Sequence, residues 1–336
     1  MIFKNKKFII FLSIAICLAV AVAVAVVVVV AVALFKNGKP ISPKEPSFLG
    51  INLDDSSIKT IPSKSTFPPN WPLTKIPINS VRTYHITVNS LKWLNYLTLN
   101  NVKVFIGMYT KNEVDVLSTA ISSWTQNQRS NIIAYSVYNE PQSTEIVDSL
   151  IETATYLKSK LSIIPGALKP VTVCLQFTKL WINPTYPIPS TKFTDEALKL
   201  FKHLDIICFN IYGSFFDENN TVKIIYKGNF QKALDSSLSW SDGSILNNQF
   251  KAVRAAMASA GLSSYKFWAS EIGWGGAPDG ISIPWNKLEN EQKFYSNFLL
   301  TPKQDNILPD RLFWFSLRDS GTEYFGLYTS NFISKF

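Results

Sequence analysis

Histidine and cysteine are scarce in this sequence, with two histidines, His85 and His203, and three cysteines, Cys17, Cys174 and Cys208, among 336 residues. No His/Cys spacing resembles a zinc site, and the histidine shortage argues against a Ser-His-Asp hydrolase. There is no phosphate-binding glycine loop and no dinucleotide fingerprint, so no cofactor is expected. No internal repeat is present, and no basic run of the kind that grips nucleic acid. The formal net charge of +9 is concentrated at one end: five lysines lie in residues 1–39, which hold no acid. The remainder carries 28 basic residues against 24 acidic ones, an ordinary surface. Cys174 and Cys208 each sit in an apolar, strand-like run and are expected as buried free thiols, a disulfide being possible but not required.

The first 35 residues differ from the rest. Residues 8–35 form a run with Ser13 as its clearly polar member, mostly Ala and Val from Ala19 on. Roughly 20 apolar residues cross a bilayer, whereas a cleaved signal has an apolar core of about 7–15. An uncleaved transmembrane signal anchor is therefore expected at 8–35, behind a cytoplasmic tail at 1–7 carrying Lys4, Lys6 and Lys7. The main domain would face the lumen or the exterior as a single-pass type II membrane protein, the alternative being secretion after cleavage. Residues 36–47, with Pro40, Pro43 and Pro46, read as a semi-rigid linker. Asn219-Asn220-Thr221 is a glycosylation triplet that suits an exported domain, which makes Asn219 a candidate acceptor. The remaining 48–336 suit one large α/β domain, expected to be monomeric.

Within that domain, short β-rich runs recur at a steady interval. They begin at Phe48, Ser80, Lys103, Ile132, Pro170, Leu204, Lys266 and Arg311, and several are apolar on both faces, as parallel strands covered by helices should be. Helical stripes lie between them, as in Thr144–Leu161 and Gln249–Leu262, where Gly261 supplies a stop signal. The alternation predicts a (β/α)₈ TIM barrel. The long stretch from Gly213 to about Asn248 could wall a cleft.

In such a barrel, chemistry sits at the C-terminal ends of the strands. The fourth run ends in Tyr138-Asn139-Glu140, and the seventh in Glu271-Ile272-Gly273-Trp274. The second delivers Tyr84 and His85, the sixth Asn210 and Tyr212, and the eighth Trp314 to Asp319. An unpartnered buried carboxylate costs several kcal/mol, so Glu271 at the tip of KFWASEIGWGG needs a partner, and Glu140 across the mouth is the candidate. Two carboxyls so placed suit glycoside hydrolysis, one protonating the departing oxygen and the other attacking or activating water. The blander alternative is a pair of loop charges or salt-bridge partners. His203, ahead of the sixth strand, is expected to be structural, while His85 could approach the cleft.

Several motifs, taken in order, carry a family likeness. VRTYHITVNSL (81–91), KVFIGMY (103–109), VYNE (137–140), LDIICFNIYGSFF (204–216), ASEIGWGG (269–276) and FWFSLRDSGTEYFGLY (313–328) resemble glycoside hydrolase family 17, the β-1,3-glucanases, and especially their fungal cell-wall branch. The resemblance implies a retaining mechanism on β-1,3-glucan, with Glu140 as acid/base and Glu271 as nucleophile. It also implies that Tyr84, Asn139 and Tyr212 orient the nucleophile and its sugar, and that Trp274 and Trp314 line the cleft. A covalent intermediate can be released by water or by a sugar hydroxyl, so hydrolysis and transglycosylation both stay open. A barrel glycosidase for β-1,4 or β-1,6 linkages, or a silent glucan-binding or adhesion protein, are the competing expectations. Three departures fall on the rim. Trp274-Gly275-Gly276 stands where the family often has Trp-Pro, Asp319-Ser320 where Asp-Glu is common, and Tyr212-Gly213 where Tyr-Pro is found.

Overall fold

The computed structural model describes residues 49–53, 80–177, 180–182, 192–213, 226–277, 285–300, 307–320, 324–329 and 335. The expected tail, anchor, linker and Asn219 lie outside the described residues. Among the described residues, no helix is long and apolar enough to cross a membrane.

Eight strands among them form a closed, wholly parallel barrel: β1 Leu49–Asn52, β2 Ser80–Arg82, β3 Lys103–Met108, β4 Ile132–Asn139, β5 Val171–Gln176, β6 Ile206–Asn210, β7 Lys266–Ile272 and β8 Arg311–Trp314. Each pairs with its sequence neighbours, and β8 returns to β1 through Leu49–Leu312 and Ile51–Trp314. The described helices are α1 Val88–Leu99, α2 Lys111–Ser122, α3 Gln126–Ser130, α4 Val147–Ser162, α5 Asp195–Phe201, α6 Phe230–Leu238, α7 Ile245–Ser259 and α8 Leu288–Leu300. A closed eight-stranded parallel barrel is what the described residues form, consistent with the expected (β/α)₈ barrel, with strands shorter than the apolar runs that announced them.

Local chemistry sets the helix starts. Thr87, Thr110 and Thr125 each close a capping box with Ser90, Glu113 and Gln128, satisfying amides that the first turn leaves unpaired. Ser244 caps α7 through Asn247 N, so this helix begins four residues before the apolar stripe that marks it in sequence. It ends at the expected place, with Gly261 at φ 70° just past its last turn. The stretch after the sixth strand, expected as a cleft wall, holds α6 and the start of α7 in its described part.

Burial divides the strand residues by parity. Val104 and Ile106 join the main core between barrel and helices, while Phe105 belongs to a separate cluster with Ala134, Cys174, Ile206, Cys208, Trp268 and Phe313 that fills the barrel. Phe105 meets Trp268 edge-on at 5.3 Å and Phe313 at 5.4 Å. Gly50 is forced here, because a Cβ would lie 2.3 Å from the Phe313 ring. Cys174 and Cys208, on adjacent strands, are buried free thiols with sulfurs 3.7 Å apart.

Candidate active site

Strand irregularity creates the site. The β7 register shifts between Ala269 and Ile272, and such a bulge lets consecutive residues serve one face. Both Ser270 and Glu271 then join one polar network: Ser270 Oγ donates to Asn210 Oδ1 at 2.7 Å, and Glu271 receives the donors described below. The β4 register shifts likewise between Ser136 and Asn139. There Tyr138 and Glu140 adopt φ of 77° and 50°, conformations that cost of order 1–3 kcal/mol for residues other than glycine. Ser136 Oγ donates to Tyr138 O, and Glu140 N to Cys174 O, both at 2.8 Å, so the turn is held from two sides.

Glu271 is 5% exposed and meets donors at both carboxylate oxygens. Oε1 accepts from Arg82 Nη1 at 3.0 Å and from the Tyr84 hydroxyl at 2.8 Å; Oε2 accepts from the Tyr212 hydroxyl at 2.6 Å. Burial, and then the charge of Glu271, push both phenols well above their ordinary range, so both stay donors. Burial opposes the charge on Arg82, but Cys174, Tyr84 and Glu271 outweigh it and raise the guanidinium's pKa. Arg82 also donates to Ser270 O at 3.0 Å, Asn52 Oδ1 at 3.3 Å and Asn139 Oδ1 at 2.7 Å. With both terminal nitrogens hydrogen-bonded, this buried cation supports its partner's charge.

Glu140 is half-buried and sits in a different setting. Its Oε1 accepts from the neutral amide Asn210 Nδ2 at 2.8 Å. That same amide nitrogen reaches Asn139 Oδ1 at 3.0 Å. Asn139 Oδ1 thus takes two donors, which fixes the orientation of its amide and turns Nδ2 elsewhere as a donor. A continuous path, Glu140–Asn210–Asn139–Arg82–Glu271, joins the two acids at the C-terminal mouth. One carboxyl meets a cation and two phenols, and the other accepts from the Asn210 amide, so two glutamates stand at one mouth as two-carboxylate chemistry requires.

The structure therefore brings together Glu140, Glu271, Tyr84, Asn139 and Tyr212. Trp274 and Trp314 require correction. Both are fully buried, Trp274 5.5 Å from the Phe294 ring and Trp314 packed on Tyr295 and Phe298 of α8 at 4.8 and 5.5 Å. They fasten a helix to the barrel and do not line the cleft. Aromatic faces at the mouth come from the half-buried Phe315 and Phe325, whose rings lie 6.4 and 5.7 Å from Tyr212. Arg82, Asn52 and Ser270 complete the site beyond the sequence-derived residues, and Asn210, expected at the end of the sixth strand, lies on the path between the two acids. The signal for Arg82 was a charge inside an apolar strand, two residues before Tyr84 and so on the same face. His203 is exposed and precedes β6, remote from the mouth. No cluster able to hold a metal occurs among the described residues.

No protein-family model matches the chain, and no characterised protein matches its sequence. Solved structures do match. The β-1,3-glucanase and allergen CJP38 of Cryptomeria japonica pollen superimposes with a TM-score of 0.59 at 17% identity, over 86% of this chain and 98% of that one. A plant β-glucan endohydrolase gives 0.59 at 17% identity, over 85% and 98%. A β-glucuronidase of an uncultured Clostridium species gives 0.52 at 14% identity, over 86% of this chain and 48% of that one. The chain has the barrel fold of the glycoside hydrolase family 17 glucanases.

Proposed function

We propose that the chain is a retaining glycoside hydrolase or transglycosylase acting on β-1,3-linked glucan. The observation that carries this is the hydrogen-bonded path joining two glutamates at the mouth of a glucanase-type barrel. Glu271, oriented by Arg82, Tyr84 and Tyr212, attacks the anomeric carbon. Glu140 donates its proton to the departing oxygen, and the C–O bond breaks as the glycosyl ester forms. Glu140 then takes a proton from water or from an incoming sugar hydroxyl, whose oxygen displaces Glu271 with net retention. Asn139 Nδ2 is placed to donate to a sugar hydroxyl as charge develops.

The apolar run at 8–35 supports display of this domain from a membrane, on its luminal or extracellular side. The test incubates the full chain with soluble β-1,3-gluco-oligosaccharides and follows products and anomeric configuration. Retained configuration is expected, with products longer than the substrate if sugars act as acceptors. Glu271→Gln should lower kcat by about 10³-fold or more while leaving the circular dichroism spectrum unchanged. Wild-type turnover by that variant defeats the mechanism. Binding without any turnover by the wild type would favour the silent glucan-binding alternative.

A further inference from the structure

Tyr138 holds a backbone conformation that glycine would adopt freely, with φ at 77°. A bulky L-residue there is an outlier whose ring needs a reason. That ring lies 4.7 Å from Tyr109, which stacks on His85 at 4.3 Å with 13° between planes. The tips of β2, β3 and β4 thus contribute one contiguous wall of three rings, the last of them two residues before Glu140.

The wall is braced from behind. Glu113 Oε1 accepts from Ile86 N at 3.1 Å and lies 3.3 Å from His85 Nδ1, while Oε2 accepts from Tyr109 N and from Thr110 N at 3.0 Å. A single carboxylate therefore ties the backbone after His85 to the backbone of Tyr109. The His85 side chain is 43% exposed, and Tyr109 and Tyr138 are half-buried, so these rings are not simply core. Burial pushes Tyr109 up to about 12, and the charges of Arg82 and Glu271 also act on it, which puts the phenol within electrostatic reach of the nucleophile.

We propose that His85, Tyr109 and Tyr138 form a carbohydrate subsite against which a further pyranose of a neutral glucan chain packs its apolar CH face. Partly exposed aromatic rings at the end of the barrel that carries the acids suit such a ligand. The inference rests on the function proposed above and adds where along the rim the chain runs.

Tyr138→Gly separates binding from folding, because it removes the ring while relieving the backbone. Its melting temperature should equal or exceed that of the wild type. Its KM for a β-1,3-glucopentaose should rise about 10-fold with kcat little changed, and Tyr138→Phe should keep the wild-type KM. His85→Ala, at an exposed position, should raise KM in the same sense without loss of stability. Calorimetry on the Glu271→Gln background should show the same weakening without turnover. An unchanged KM in Tyr138→Gly or His85→Ala, in a wild type that cleaves the oligomer, overturns the subsite and leaves the proposed reaction standing. A joint collapse of melting temperature, KM and kcat in Tyr138→Gly marks the ring as structural and also overturns it. If the wild type neither binds nor cleaves any β-glucan oligomer, the function itself fails.

Discussion

Arg82 connects most of the site's polar groups, since one guanidinium serves Glu271, Asn139, Asn52 and the Ser270 carbonyl. Arg82→Met would leave Glu271 buried without its cation, a loss of about 3–5 kcal/mol measurable by denaturant unfolding. Arg82→Lys keeps the charge but not the fork, so it should fold and yet lose at least tenfold in kcat. Gly107 makes a quieter contribution. A Cβ there would lie 2.4 Å from Thr83 O and 2.8 Å from Tyr84 Cα. Gly107→Ala should therefore displace Tyr84 and lower kcat/KM, whereas an alanine that leaves both stability and kcat/KM untouched would contradict this packing. At this scale the acids, the tyrosines and Asn139 were legible because strand ends identify themselves by position. Arg82 was harder to see, because nothing in the sequence says that a strand charge faces inward to meet a carboxylate 189 residues away.

At the level of elements, β8 shows why the tryptophans misled. Arg311-Leu312-Phe313-Trp314 is apolar over its last three residues, and a strand covered on both sides gives no periodic signal of which parity faces the barrel. Phe313 fills the interior and Trp314 meets α8. The two glycines after Trp274 have a packing explanation of the same kind. A Cβ on Gly276 would lie 1.9 Å from Glu291 Oε2 of α8, and that oxygen is held by Lys335 Nζ at 2.9 Å. Lys335 also reaches Asp319 Oδ1 at 3.0 Å and Tyr324 O at 2.9 Å, so the carboxylate cannot simply swing away. Gly276→Ala should cost about 1–3 kcal/mol, seen as a lower melting temperature. Gly275→Ala, facing the Asn286 side chain at 3.0 Å, should cost less. Gly276 thus accommodates a buried polar cluster that residues far apart in sequence assemble, which is why the sequence alone could not explain it.

For the whole molecule, the same cluster predicts how stability responds to pH. Burial pushes Glu291 up to about 8 against the pull of Lys335, with Asp319 adding to the rise. Between the ordinary value of 4.5 and about 8, the folded chain holds a proton that the unfolded chain releases. Stability should therefore fall as pH rises through that window, and be fully present below it. Melting curves between pH 5 and 8 should show the decline, and Glu291→Gln should flatten it. A melting temperature that climbs over this range would refute the assignment.

Because all eight strands run the same way, the chain enters the barrel at Leu49 on the face opposite the one where Glu140 and Glu271 open. A solid support coupled directly at the start of β1 would therefore grip the blind side of the barrel and leave its mouth turned to solution. Immobilised in that orientation, the protein should process insoluble glucan particles about as well as it does in free solution, whereas random coupling through surface lysines should obstruct some mouths and lower the yield.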